Sequence, residues 1–179
     1  GEKQVKIIYK KSYCFLTVNV LPLDGIHSDR FEVADGLIYK VPSGTSVAEL
    51  LNSIAEKDLV KIMSGNSEVT SGFVTTGMRA VLSVDGEERY SADIAVSGDI
   101  NGDGEVNILD LMRLKKITSE LKTASKAQIA AATDSATAAS VTAADLVKMK
   151  RRLMDMEKKS EELAKKAELN IQLINQEEL

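Results

Sequence analysis

Apolar and polar residues alternate with a period of two along the first stretch of the chain. Leu16, Val18 and Val20 fall on one side of a strand, and Phe15, Thr17 and Asn19 on the other. "QVKIIY" and "YCFLTVNVL" therefore predict one or two strands over residues 4–21. "LPLDGIHSDRFEVADG" is turn-rich and predicts a connection. "GLIYKV" predicts a strand ending at Pro42, and "PSGTSVAELLNSIAEK" a helix. Ser46 and Glu49 stand at capping-box spacing, and Val47, Leu50, Leu51 and Ile54 form the apolar face. "LVKIM" predicts a short strand and "SGNSEVTSG" a turn. "MRAVLSV" and "RYSADIAV" flank the Asp-Gly signal of a hairpin. After residue 98 the period becomes helical. "LDLMRLKKITSEL", "SKAQIAAAT" and a long segment from "TAADLVKMK" to the C-terminus predict three helices.

The expected fold class is α+β. Residues 1–97 form a small sheet with one helix, 98–156 an all-α module of two loop-helix repeats with three helices, and 157–179 a helical extension. The Ala-rich stretch 124–144 has good helix propensity and is not read as a disordered linker.

Composition removes several function classes. Net charge is −4 with mixed signs, so the chain carries no electrostatic footprint for nucleic acid. Aromatic content of 4% without tryptophan argues against a sugar-binding platform of exposed rings. Cys14 and His27 are single, which excludes an internal disulfide and leaves a zinc site or Cys/His nucleophile pair to chance. No nucleophile–base pair is evident, so the chain is read as not an enzyme. No run reaches the roughly 18 apolar residues of a membrane span. Lysines followed by an apolar run over 3–23 faintly resemble a leader, but the alternation around Asn19 reads as a strand. The chain begins with Gly1 and is taken as a piece of a longer protein, so a missing leader says nothing about location.

One stretch carries chemistry: "GDINGDGEVNILDL", residues 98–111. Counting from Asp99, side-chain oxygens fall at positions one, three and five (Asp99, Asn101, Asp103). Gly104 is sixth, Glu105 seventh with its backbone carbonyl, Asn107 ninth and Asp110 twelfth. That is the spacing of a calcium loop of EF-hand type. Calcium takes roughly six to eight hard oxygens, and alternate residues of a tightly curled loop point inward to supply them. Gly104 allows the turn, and Asp110 is held rigidly by the first turn of the following helix. Without a cation the three carboxylates repel one another. The bland alternative, an acidic surface turn, does not require five side chains and a glycine in register. No helix precedes the loop, so this is a loop-helix half rather than a full hand.

A second copy lies 35 residues on. "DSATAASVTAADLVKMKR" aligns with "DINGDGEVNILDLMRLKK", matching Asp134 to Asp99, Val141 to Val106, Asp145 to Asp110, Leu146 to Leu111 and Lys150 to Lys115. Its loop, 134–145, is degenerate: Ala136, Ala138 and Ala139 replace the third, fifth and sixth positions. One Ca2+ is expected, not two.

A calcium loop-helix without its entering helix, repeated after about 35 residues, resembles a dockerin over residues 98–156. The resemblance implies a non-catalytic module that folds around calcium and binds a cohesin-like partner. It would anchor a larger secreted or cell-surface bacterial protein, carbohydrate-active or adhesive, in a cellulosome-like assembly for polysaccharide degradation. It also implies partner contacts at loop positions ten and eleven and repeat positions seventeen and eighteen. These are Ile108, Leu109, Lys115 and Lys116 in the first copy, and Ala143, Ala144, Lys150 and Arg151 in the second. Ile108 and Leu109 cannot both face inward with Leu111 and Leu114, so at least one is expected to be exposed. The N-terminal layout resembles the X modules that precede some dockerins. A rival reading is a calcium-stabilised structural spacer with no external partner.

From Leu146 a three-and-four spacing continues through Met149, Leu153, Met156, Ser160, Leu163, Ala167, Asn170 and Ile174. This seam over 146–174 leaves three alternatives: a helix–helix contact with a second copy, a helix folded back on the module, or a frayed tail.

Overall fold

A computed structural model describes residues 2–9, 12–19 and 24–177. Strands β1 (Glu2–Tyr9) and β2 (Ser12–Asn19) form a separate antiparallel pair, with Glu2 opposite Asn19 and Tyr9 opposite Ser12. Both predicted segments are strands, but they pair with each other and not with the main sheet. The ends of those segments at Val20 and Leu21 lie outside the described residues.

The main sheet has six strands: β3 (Glu32–Ala34), β4 (Leu37–Val41), β5 (Val60–Ser64), β6 (Ser67–Glu68), β7 (Arg79–Val84) and β8 (Glu87–Val96). Their spatial order is β3-β4-β8-β7-β5-β6. β4 and β8 run parallel, with Ile38 opposite Ile94, and the other pairs are antiparallel. The Asp-Gly turn joins β7 to β8, with Asp85 and Gly86 both at positive φ as such a turn requires. Helix α1 (Val47–Asn52) is shorter than predicted but carries the expected capping box: Ser46 Oγ accepts from the Glu49 N–H, and Glu49 accepts from the Ser46 N–H. Val47 and Leu50 are buried, and Ile54 follows them into the core beyond the helix end.

Period two along the central strands fills both faces of the sheet. Ile38 and Ile94 point into one core with Val47, Leu50, Ile62 and Leu82. Their neighbours Leu37 and Ala95 point the other way, onto Ala127, Ala130, Ala131 and Ala136. The first three of these belong to α3 (Lys126–Thr133), whose spacing puts them on a single face. Helices α2 (Ile108–Thr118) and α4 (Ala143–Glu177) complete the C-terminal part. A third cluster lies among them: Ile100, Leu114, Ala132 and Met149, flanked by Val106, Leu111, Ile117, Val141, Leu146 and Leu153. α3 thus contributes to two cores at once. The three predicted helices are all present. Residues 157–168 of α4 are all exposed, so that stretch does not fold back on the module.

Ala130 is 1% exposed against the sheet. Ala130→Leu should overpack that contact and lower stability by about 1–3 kcal/mol, read by urea unfolding, whereas the same change at the exposed Ala139 should not.

Candidate functional site

β8 leads into the acidic loop with only Ser97 and Gly98 between. Gly98 has φ +89°, and a Cβ there would lie 2.7 Å from an Arg152 guanidinium nitrogen. Asp99 follows, fully buried. Its Oδ1 accepts from the Gly102 N–H at 2.7 Å and its Oδ2 from the Thr76 N–H at 3.0 Å. The loop then curls through two successive side-chain turns. Asn101 Oδ1 accepts from the Asp103 N–H, and Asp103 Oδ1 from the Glu105 N–H, both at 2.9 Å. Gly102 and Gly104 both take positive φ, +83° and +87°.

Asp110 closes the loop from the first turn of α2. Its Oδ1 accepts from the N–H groups of Ile100 and Asn101, and its Oδ2 from that of Asn107. One buried carboxylate therefore holds both ends of the loop to the helix. Asn107 caps α2, its Oδ1 accepting from the Leu109 N–H at 2.8 Å, while its Nδ2 donates to Glu105.

The electrostatics are unbalanced. Burial pushes the Asp99 carboxyl above its ordinary range; the two backbone N–H donors oppose this, and the charges of Asp110 and Asp103 add to it. Among the described residues no lysine or arginine pairs with Asp99, Asp103 or Asp110. Nor does any group of three or more His, Cys, Asp and Glu side chains among them converge as a metal cluster. The oxygens are turned onto backbone N–H groups instead. In donor chemistry the set fits a hard divalent cation: three carboxylates, two amide oxygens and a curled main chain, with no protein cation in the way.

The degenerate copy is organised differently. Asp145 stands in the first turn of α4 as Asp110 does in α2, its Oδ2 accepting from the Thr142 N–H at 2.8 Å. Asp134 ends α3 in the left-handed conformation. Its Oδ1 accepts from the Ser97 hydroxyl at 2.5 Å and its Oδ2 from the Lys148 ammonium at 2.8 Å, with Arg152 at 3.9 Å. Lys148 also reaches the Thr133 carbonyl at 3.4 Å. Ala136, at position three, is buried against the sheet. Burial raises the Asp134 carboxyl, but Lys148, Ser97 and Arg152 together hold it below the ordinary range.

Ile108 and Leu109 are both exposed, at 59% and 52%. Just beyond α2, Glu120 takes positive φ, +57°, and the Leu121 N–H returns to the Lys116 carbonyl. Leu121 thereby joins Met112, Lys115, Lys116 and Ser119 around an open cleft of about 300 Å³. In the second copy Ala143, Ala144, Lys150 and Arg151 are exposed on α4. Ala144, Val147, Arg151 and Met156 line a second open cleft, which also takes in Lys148 and Arg152. Sequence reading missed Thr76, Lys148, Met112 and Leu121. Met112 and Lys148 lie inside the aligned repeats, opposite Val147 and Arg113, and Leu121 lies just beyond them, opposite Met156; Thr76 gives no local signal.

Residues 97–154 match the dockerin type I family, so a dockerin type I domain follows the N-terminal β-sheet module. No curated protein and no solved structure matches the chain. A dockerin domain implies a non-catalytic, cohesin-binding assembly module, and such domains generally bind Ca2+. Proteins that carry one are typically extracellular, in cellulosomes. Among the described residues no helix is long and apolar enough to cross a membrane.

A carboxyl lowered on folding stabilises above its unfolded pKa, and that stability disappears as pH falls through the folded value. Lys148→Met should therefore lower the unfolding temperature by about 2–4 °C at neutral pH, as expected for loss of ~1 kcal/mol in a partly exposed pair. The gap to wild type should close on acidification below the ordinary carboxylate range. Thermal melts followed by circular dichroism across pH would show it.

Proposed function

We propose that this chain is the calcium-dependent docking end of a larger secreted bacterial protein, binding a cohesin-like module through the exposed face of α2. The observation that carries the reading is a coincidence in place: the dockerin match covers a twelve-residue acidic loop that feeds directly into a helix with an apolar and basic outer face. Asp99, Asn101, Asp103, the Glu105 carbonyl, Asn107 and Asp110 would hold the ion. When bound, calcium supplies the positive charge that the loop's carboxylates lack. Asp110 transmits that constraint, since the same carboxylate ties the loop to the first turn of α2.

Ile108, Leu109, Lys115 and Lys116 form the contact surface in this reading, and Met112 and Leu121 extend it. Exposed apolar side chains beside paired cations suit a partner with an apolar centre and an acidic rim. Ala143, Ala144, Lys150 and Arg151 are the weaker second face. The second loop takes no calcium, because Lys148 already neutralises Asp134 and alanines replace the donors at positions three and five. The cargo, an enzyme or adhesin of polysaccharide degradation, is carried elsewhere in the longer protein, with the sheet module in the place of an X module.

Immobilised cohesin should retain the chain in calcium and release it in chelator. Replacing Ile108 and Leu109 by Ser together with Lys115 and Lys116 by Glu should weaken capture by about 100-fold or more. Undiminished capture would remove this face, and no capture by any cohesin would favour a structural spacer. Calorimetry should count one calcium per chain; two would restore the second loop as a site.

A further inference from the structure

The acidic loop does not stand on its own helices alone. Asp99 Oδ2 accepts a hydrogen bond from the main chain of Thr76, which lies 23 residues upstream in the connection between β6 and β7. Thr76 is itself pinned. Its hydroxyl donates to the Val96 carbonyl at 3.3 Å and accepts from the Val96 N–H at 3.0 Å, bridging both backbone groups of the last residue of β8. The two segments also approach closely. A Cβ at Gly102 would lie 2.7 Å from the Thr76 carbonyl oxygen, and one at Gly104 would lie 3.0 Å from the Thr75 methyl. Three independent contacts therefore join Thr75 and Thr76 to loop positions one, four and six.

We propose that the Thr75–Thr76 turn of the sheet module is a positioning element for the calcium loop, so that part of the metal affinity resides outside the dockerin domain. The inference rests on the reading that the loop binds calcium. With only Oδ1 held, by the Gly102 N–H, the Asp99 carboxylate could still turn about that bond, and ordering it would oppose binding. A fixed N–H on Oδ2 sets the plane of the Asp99 carboxylate and leaves its remaining lone pairs for the ion. Outer-shell donors of this kind change metal affinity by about 10–100-fold. Coupling is reciprocal, so calcium in turn holds the turn and the end of β8 in place.

The test uses the full chain, with calcium as the probe. Thr76→Pro deletes the N–H and should weaken calcium binding about 10–100-fold by calorimetry. Thr76→Ser keeps both the N–H and the hydroxyl and should stay within about twofold of wild type. Independently, amide exchange on wild-type protein should show calcium protecting residues 74–78 and the end of β8 as well as the loop. Thr76→Pro binding within twofold of wild type, or calcium-induced protection confined to 97–156, would overturn the proposal while leaving the calcium site intact. If the proline variant fails to fold, the exchange experiment decides alone. No calcium binding by wild-type protein would overturn both this proposal and the reading beneath it.

Discussion

Three carboxylates, Asp99, Asp103 and Asp110, are confined to one twelve-residue loop with no ion pair to a lysine or arginine among the described residues. Like charges at such spacing oppose the curl that brings them together. Backbone N–H groups partly compensate, and every carboxylate oxygen of Asp99 and Asp110 is used this way. N–H dipoles lower the energy of a carboxylate without neutralising it. The residual charge is what a divalent cation would answer, and it acts where α2 begins. The pose of α2 and its exposed face is thus tied to the electrostatics of the loop before it.

The alanine-rich helix α3 solves a different problem. Dockerin and sheet module must sit close enough for Thr76 to reach Asp99, yet α3 lies across their junction. Ala127, Ala130 and Ala131 bring its backbone close to Leu37 and Ala95, and Ala132 faces the other core. Larger side chains would hold the helix away from the sheet. At this junction the Gly98 N–H donates to the Ala131 carbonyl, and Gln128 Nε2 donates to the Ile100 carbonyl. Lys126 also reaches the Asp35 carbonyl. Low complexity in this stretch is therefore a packing requirement.

Signals within a few residues of one another were legible in the sequence: the capping box at Ser46, the Asp-Gly hairpin, the loop's acceptor spacing and the three helices. Features that depend on a distant neighbour were not. β3 and β6, three and two residues long, exist because β4 and β5 offer them an edge, and their own sequences read as turns. At least one of Ile108 and Leu109 could be placed outside because the helix period leaves too few inward positions; the structure exposes both. Thr76 could not be found, because it contributes its main chain, and every residue but proline has that N–H. Alanines at 136, 138 and 139 show that donors are absent at those positions, but not that Ala136 would pack against the sheet.

The two repeats have diverged in how they obtain positive charge. In the first copy, position one faces only N–H donors and like charges. In the second, the equivalent Asp134 receives an ammonium from Lys148, which the 35-residue register sets against Arg113 of the first copy. Arg113 is directed to Gln128 instead. A covalently attached cation is present at any calcium concentration and cannot be chelated. It also neutralises one charge where the ion would bring two, which suits a loop stripped to a single acidic residue at its start. The trade has a geometric consequence, because the lysine comes from α4 itself and pulls that helix onto the end of α3 directly. On the proposed function, a chain with one loop of each kind would respond to calcium through one face while its other half stays anchored by its own side chains.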